Sequence, residues 1–294
     1  MKLIIIFTRN IAMTIKTNVL KNIAIAVTLS CGGVSLSAVA HDTHTHQTSA
    51  SVYALEEAVA GAQRSDKNKA RDKYRNPIKT LNFFGFKPTM TVVEITPGGG
   101  WYTEILAPAL KGKGKLYGAH YPDTGEDNYY SNSRKKLEKK LASDPVFSDV
   151  VLTDFVPRKE SDLAPQGTAD LVLTFRNLHN WQDAGVEQVF KDAYKALKPG
   201  GVLGVVEHRL PIGVSEDQAK GYVSEVKTIK QAKAAGFSFG GASEVNANSK
   251  DIATYPKGVW TLPPRLAMGD KDKEKYLAIG ESDRMTLKFI KPAK

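Results

Sequence analysis

The chain of 294 residues contains one cysteine, Cys31, and it lies within the first forty residues. With its lone thiol there, the body of the protein has no internal disulfide, no thiol nucleophile and no cysteine-based metal site, so oxidising surroundings leave it covalently unchanged. Acid is missing from the same segment: residues 1–40 carry Lys2, Arg9, Lys16 and Lys21 but neither Asp nor Glu. The apolar run from Ile23 is broken by Gly32 and Gly33, which makes it weak for a spanning helix of ~20 apolar residues, and it ends at Ala38-Val39-Ala40. A basic start, an apolar middle and a small-x-small end predict a secretory signal peptide over residues 1–40, hence a periplasmic or secreted protein with no stable membrane span after cleavage. Met13 offers an alternative start that gives the leader a shorter basic region. No internal repeat and no HExxH pair is present. The missing HExxH pair counts against a helix-borne metal site, so no metal is expected.

A large charge surplus is lacking as well. The formal charge is +10 and falls to +6 once the four basic residues of the leader are removed. What remains is spread out, and Arg134-Lys-Lys-Leu-Glu-Lys-Lys140 mixes signs at helical spacing. That pattern predicts a solvated helix face and speaks against nucleic acid as a partner.

Residues 41–76 read as a polar tail, His41-Asp-Thr-His-Thr-His, followed by a surface helix from Ser51 to about Arg71 that carries Val52, Leu55 and Val59. Pro77 opens the main domain, residues 77–294, whose aromatic cluster Leu81–Phe86 is expected to pack on a sheet. Apolar, β-branched runs predict strands at about Thr91–Thr96, Lys115–His120, Asp149–Asp154, Asp170–Phe175 and Val202–Glu207. Periodic segments predict helices between them at about Trp101–Leu110, Ser131–Leu141 and Gly185–Leu197, the last stopped by Lys198-Pro-Gly-Gly201. A further helix over Gly221–Ala235 and strands over Phe237–Ala242 and Met285–Lys291 complete the order. Strands alternating with helices predict a mostly parallel α/β sheet covered on both faces. Residues 246–283 form a long connection that reads as a lid, with Trp260 over the site and Glu281-Ser-Asp-Arg284 pinning it.

The strand at Thr91 runs into a carboxylate, three glycines and a helix: Glu94-Ile-Thr-Pro-Gly-Gly-Gly100. Such a turn brings backbone N–H groups and a helix N-terminus close to a ligand. A dinucleotide fingerprint begun at Gly98 would place Thr103 at its third glycine, with no acid about 20 residues on, so nicotinamide chemistry is the poorer fit. The stretch resembles the donor-binding motif of class I S-adenosylmethionine-dependent methyltransferases, acid-x-Gly-x-Gly-x-Gly. Asp154, Asp170–His179 and Leu197-Lys-Pro-Gly-Gly-Val-Leu203 resemble further motifs of that family in the correct order. More narrowly, Gly98–Glu104, Phe175–Trp181, Val206–Arg209 and Gly280–Phe289 resemble a bacterial subgroup of predicted exported methyltransferase-like proteins.

The resemblance implies a Rossmann-like, seven-stranded α/β sheet, mostly parallel with an antiparallel last strand. It implies S-adenosyl-L-methionine as cofactor, contacted by Glu94, Gly98, Gly99, Gly100, His120 and Asp154. His120 stands where the family carries a ribose-binding acid, and Asp123 is a substitute in the following loop. Thr96 stands at the first glycine; a β-branched residue before proline is expected to extend the strand, leaving Gly98–Gly100 to make the turn. The mouths of the fourth and fifth strands collect Arg176, Asn177, His179, Asn180 and Trp181 opposite Glu207, His208 and Arg209. From these, His179 or His208 is expected as the base, Glu207 as its orienter, and Arg176 or Arg209 as the holder of an anionic group on a small-molecule substrate. The expected function is methyl transfer to a small acceptor. The alternative is an exported domain of the same shape that binds a small polar ligand without transferring methyl.

Overall fold

The computed structural model describes residues 43–293. The signal peptide expected over residues 1–40 lies outside the described residues. Helix α1, Thr43–Ala60, stops at Gly61, so the helix expected from Ser51 to Arg71 starts earlier and ends sooner. Two one-turn helices follow, α2 (Asp66–Lys69) and α3 (Asp72–Arg75). Nor is α1 only a surface helix: Leu55 is fully buried, in one cluster with Ile105 and Leu106 of the helix after the glycine turn. Pro77, expected as a chain break, is the first residue of α4, Pro77–Phe84, where its missing N–H costs nothing.

The remaining elements alternate: β1 (Thr91–Ile95), α5 (Thr103–Leu110), β2 (Lys115–His120), α6 (Tyr129–Leu141), β3 (Val150–Asp154), β4 (Ala169–Phe175), α7 (Leu178–Ala196) and β5 (Leu197–His208). They are followed by α8 (Glu225–Ala234), β6 (Ser238–Ser243), α9 (Lys273–Ile279) and β7 (Arg284–Ile290). The sheet has seven strands in the order β3-β2-β1-β4-β5-β7-β6. Strands β1 to β5 pair in parallel, while β7 runs antiparallel between β5 and β6. This is the expected mixed sheet.

Side chains alternate between two apolar layers, as period-2 strands buried on both faces require. Val93, Ile95, Val172, Leu203 and Val205 meet Val189, Phe190 and Ala193 of α7. Val92, Leu171, Leu173 and Val206 meet α1, α4 and α5 on the other face. Gly204 is demanded by this packing, since a Cβ there would lie 2.8 Å from the Phe84 ring. That contact carries the aromatic cluster onto the sheet.

The connection from β6 to β7 is less of a lid than its length suggests. Asn246 is buried, and its amide donates to Thr80 Oγ1 (2.9 Å) and Thr286 Oγ1 (3.0 Å). Those bonds fasten Ser243–Asn248 to α4 and β7, so only the part around Trp260, 42% exposed, covers the sheet's C-terminal edge. No described helix is long and apolar enough to cross a membrane.

Candidate active site

The reversal of strand order at β1/β4 opens a crevice at the C-terminal strand ends, the usual ligand position in an open α/β sheet. On its β1 side the chain turns at once. Thr96 is left-handed, φ 50°, and does not extend the strand as expected. Left-handed backbone costs an L-residue roughly 1–2 kcal/mol. Here it is held by the Thr96 N–H on Ala119 O (2.7 Å) and by the Asn177 amide on Ile95 O (3.2 Å). Thr96 therefore keeps the conformation of a first glycine without being one, and its Oγ1 is buried with no partner. Gly98 follows with φ 58°, and a Cβ built on it would meet nothing within 4 Å, so the turn is open beside it. At Gly100, φ 78°, a Cβ would press on Lys140 Cδ (3.0 Å) and Leu137 Cδ1 (3.1 Å) of α6. Gly98 and Gly99 line the crevice, whereas Gly100 serves packing.

On the β4 side, the helix expected from Gly185 begins seven residues earlier, so His179, Asn180 and Trp181 stand in the first turn of α7 and not in a loop. The reason is remote in sequence. Glu207, fully buried at the end of β5, accepts the N–H of Leu178 (2.6 Å) and of His179 (3.4 Å) on Oε2. It thus caps a helix whose own N-cap residue, Asn177, supplies no side-chain bond. Its Oε1 accepts from the His208 N–H (2.7 Å) and pairs with His179 Nδ1 (3.1 Å). A carboxylate facing a ring nitrogen holds the proton on Nδ1 and fixes the ring's orientation. Ligand atoms of His179, Glu207 and His208 lie within 4.8 Å of one another, close enough to share an ion. Both oxygens of Glu207 are already engaged, however, and His208 Nδ1 sits 2.5 Å from Ser282 Oγ. The trio is a hydrogen-bonded network that shapes the crevice. Burial, with His179 close by, lowers His208 well below the ordinary histidine value, so its ring is neutral.

The crevice encloses about 660 Å³. Of the residues expected at the substrate side, Arg176, Asn177, His179, Asn180 and His208 line it, with Trp260 above His179 at 6.0 Å between ring centroids. Glu207 stands behind them, outside the lining. Arg209 is elsewhere, its guanidinium held by Asp283 (2.8 Å) and by both oxygens of Glu244 (2.8 and 2.7 Å). Of the expected donor contacts, only Gly98 and Gly99 reach the crevice. Glu94 is buried beneath the turn, accepts from Thr103 Oγ1 (2.6 Å), and is pushed by burial up to about 7. His120 is fully buried, with Nε2 3.2 Å from Ser133 Oγ. Asp154 points outward to Arg134 (3.1 Å), and Asp123 is tied to Lys135 (3.5 Å) and the Gly125 N–H (2.9 Å). A second hollow, about 490 Å³, lies beyond β2 and β3; Tyr121, Tyr130 and Trp181 wall it, and Asn180 lines both spaces.

Two further arginines, Arg71 and Arg75, carry no mark in the sequence. Arg71 and Arg75, from the chain around α3, join Arg176 and Arg284 around the one carboxylate of Glu281. Burial opposes the charge on Glu281, but Arg75, Arg284 and Arg176 outweigh it and hold the group down at about 2. Trp101 ties the glycine turn to the same region: its Nε1 donates to Asn68 O (3.1 Å), and the Arg75 guanidinium lies 4.5 Å from its ring centroid. The signal in the sequence is the acid-base run Glu281–Arg284; its partners Arg71 and Arg75 stand more than two hundred residues upstream.

A family model of the O-methyltransferase domain matches residues 153–236, from the end of β3 to just past α8. No curated protein matches the chain. Among solved structures, an S-adenosylmethionine-dependent methyltransferase from Aquifex aeolicus is 17% identical, with a TM-score of 0.51 over 76% of this chain and 93% of its own. A geranyl diphosphate methyltransferase is 14% identical, TM-score 0.50, over 74% of this chain and 78% of its own. The [4+2]-cyclase SpnF is 14% identical, TM-score 0.55, over 85% of this chain and 96% of its own. Identities this low establish the fold, and the cyclase shows that this fold alone does not fix a reaction. With the strand order, the glycine turn and the matched domain taken together, the chain has the fold of the class I S-adenosylmethionine-dependent methyltransferases, and its residues 153–236 match an O-methyltransferase domain.

Proposed function

We propose that the protein transfers a methyl group from S-adenosylmethionine to a small anionic acceptor bound in the same crevice. One observation carries this reading: the open side of the glycine turn, at Gly98 and Gly99, and the first turn of α7, at His179 and Asn180, line a single space. The residues present fit the donor. Gly98 is left-handed with room beside it, and Asn180 joins the crevice to a hollow walled by Tyr121, Tyr130 and Trp181, flat rings suited to an adenine. His120 and Asp154 take no part in this assignment, because neither lines either space.

When bound, S-adenosylmethionine would supply an electrophilic methyl carbon, whose C–S bond breaks as the acceptor's lone pair bonds to it, with the thioether S-adenosylhomocysteine as leaving group. The chain's own residues position the partners and receive the proton. His179, its Nδ1 proton held by Glu207, presents the basic tautomer at Nε2 and takes the proton released by the acceptor. Glu207 and His208 are positioning residues; Arg176, lining the crevice, holds the acceptor's negative charge. The same proposal places the mature chain outside the cytoplasm, supported by the basic leader and Ala38-Val39-Ala40.

Calorimetry with S-adenosylmethionine and with its demethylated product tests the reading. Heat of binding, with His179→Ala lowering turnover more than donor affinity, supports it. Absence of heat and of thermal stabilisation at millimolar ligand overturns it and leaves the ligand-binding alternative.

A further inference from the structure

The crevice carries far more positive charge than a methyl donor needs. Seven Lys or Arg side chains line it, against one carboxylate, Glu281, among the described residues. S-adenosylmethionine itself bears a sulfonium, and its amino-acid end has an ammonium beside the carboxylate, so it cannot neutralise such a wall. At the centre, Arg71 Nε and Glu281 Oε1 are 2.6 Å apart, Arg75 Nε and Glu281 Oε2 3.3 Å, Arg284 Nη2 and Glu281 Oε2 3.1 Å, and Arg176 Nη1 and Glu281 Oε2 4.0 Å. Four guanidiniums thus share two oxygens. Two of their nitrogens, Arg71 Nη2 and Arg75 Nη1, are buried with no acceptor, and both residues line the crevice. Arg75 is 2% exposed, so water does not satisfy it from outside. A buried guanidinium N–H without an acceptor is costly, and a planar fork of donors suits phosphate or carboxylate oxygens.

We infer that Arg71, Arg75 and Arg176 form a subsite for a multivalent oxyanion, a phosphate ester or a polycarboxylate, carried by the acceptor. The inference rests on the methyl-transfer reading only in calling the bearer of that oxyanion an acceptor; the subsite itself stands on the arginines. Lys136 adds to it from the other wall, its Cε about 4.0 Å from where a Cβ on Gly99 would sit. Bound anion and bound donor should then assist one another, because the anion offsets the field that opposes a sulfonium.

Inorganic pyrophosphate is the probe, titrated calorimetrically into the full mature chain without donor. Binding weakened about tenfold or more in Arg176→Gln, and strengthened in Glu281→Gln, which removes the competing carboxylate, is the expected result. Should a variant fold poorly, the wild-type melting temperature must still rise with pyrophosphate and not with equal ionic strength of chloride. No heat and no such rise at millimolar pyrophosphate overturns the subsite, whether or not the donor binds. A second titration separates the donor's own carboxylate as the source. Pyrophosphate that leaves S-adenosylhomocysteine affinity equal or higher supports an acceptor subsite; competitive displacement, with 5′-methylthioadenosine binding unaffected, contradicts it.

Discussion

The side-chain amide of Asn177 lies 3.2 Å from the carbonyl of Ile95, so the loop after β4 is stitched to the turn after β1. On either side of this bond stand two left-handed non-glycine residues, Thr96 (φ 50°) and Arg176 (φ 62°). Both walls of the crevice therefore begin in strained backbone that one hydrogen-bonded residue helps to hold, a pattern concentrated at ligand sites.

Thr96→Gly tests the strain. It removes a left-handed β-branched residue and a buried hydroxyl without a partner, at the expense of some freedom gained by the unfolded chain. Chemical denaturation should show stability unchanged or raised by up to about 1 kcal/mol. A loss larger than that would mean the threonine makes a stabilising contact the geometry does not reveal.

Glu207→Gln tests the cap. The amide keeps the shape but turns two N–H groups toward a site where the Leu178, His179 and His208 backbone N–H groups and the His179 ring already converge on the carboxylate. Unfolding free energy should fall by about 3 kcal/mol, since hydrogen bonds to a buried charge are lost and donors are left unpaired. Ring resonances of His179 should broaden or shift as its Nδ1 anchor goes. A change under about 0.5 kcal/mol, with His179 unmoved, would show that the α7 start does not depend on Glu207.

Glu94 gives a pH dependence. Burial raises its folded value from 4.5 to about 7, with the Thr103 hydroxyl opposing in part. Between those values the folded state holds more protons than the unfolded one, so this group makes stability fall as pH rises from about 4.5 to about 7 and adds no slope beyond. The full effect is roughly 3 kcal/mol at most. Glu94→Gln should flatten that part of the stability profile. Glu281 acts with the opposite sign: its folded value near 2 gives stability that is present above 4.5 and lost as pH falls toward 2.

Export gives a fourth expectation. In a bacterial host that secretes it, the chain should appear outside the cytoplasm with His41 as its first residue. N-terminal sequencing that finds Met1 or Met13 on the accumulated protein would contradict the leader reading.

Local patterns carried much of the fold. Lys115–His120 is a strand with the expected bounds, and Lys198-Pro-Gly-Gly201 follows the end of α7. What stayed hidden depends on partners far along the chain. The start of α7 is set by Glu207, 29 residues beyond Leu178, so no local capping signal marks it. Arg209 looks like a site residue until Glu244 and Asp283 are seen to hold it. Arg71 and Arg75 look like ordinary surface charges until Glu281, 210 and 206 residues away, gathers them. Thr96 misled for a different reason: its preference for extended backbone is real, but the Ala119 and Asn177 bonds outweigh it.

The most direct measurement is a crystal structure of the protein with S-adenosylhomocysteine at saturating concentration. The ligand's amino-acid end should lie against Gly98 and Gly99, its path should run past Asn180, and its adenine should sit between Tyr121, Tyr130 and Trp181, with the arginines around Glu281 left open for a second ligand. An empty crevice at saturation, or the nucleoside seated on the arginines, would contradict it.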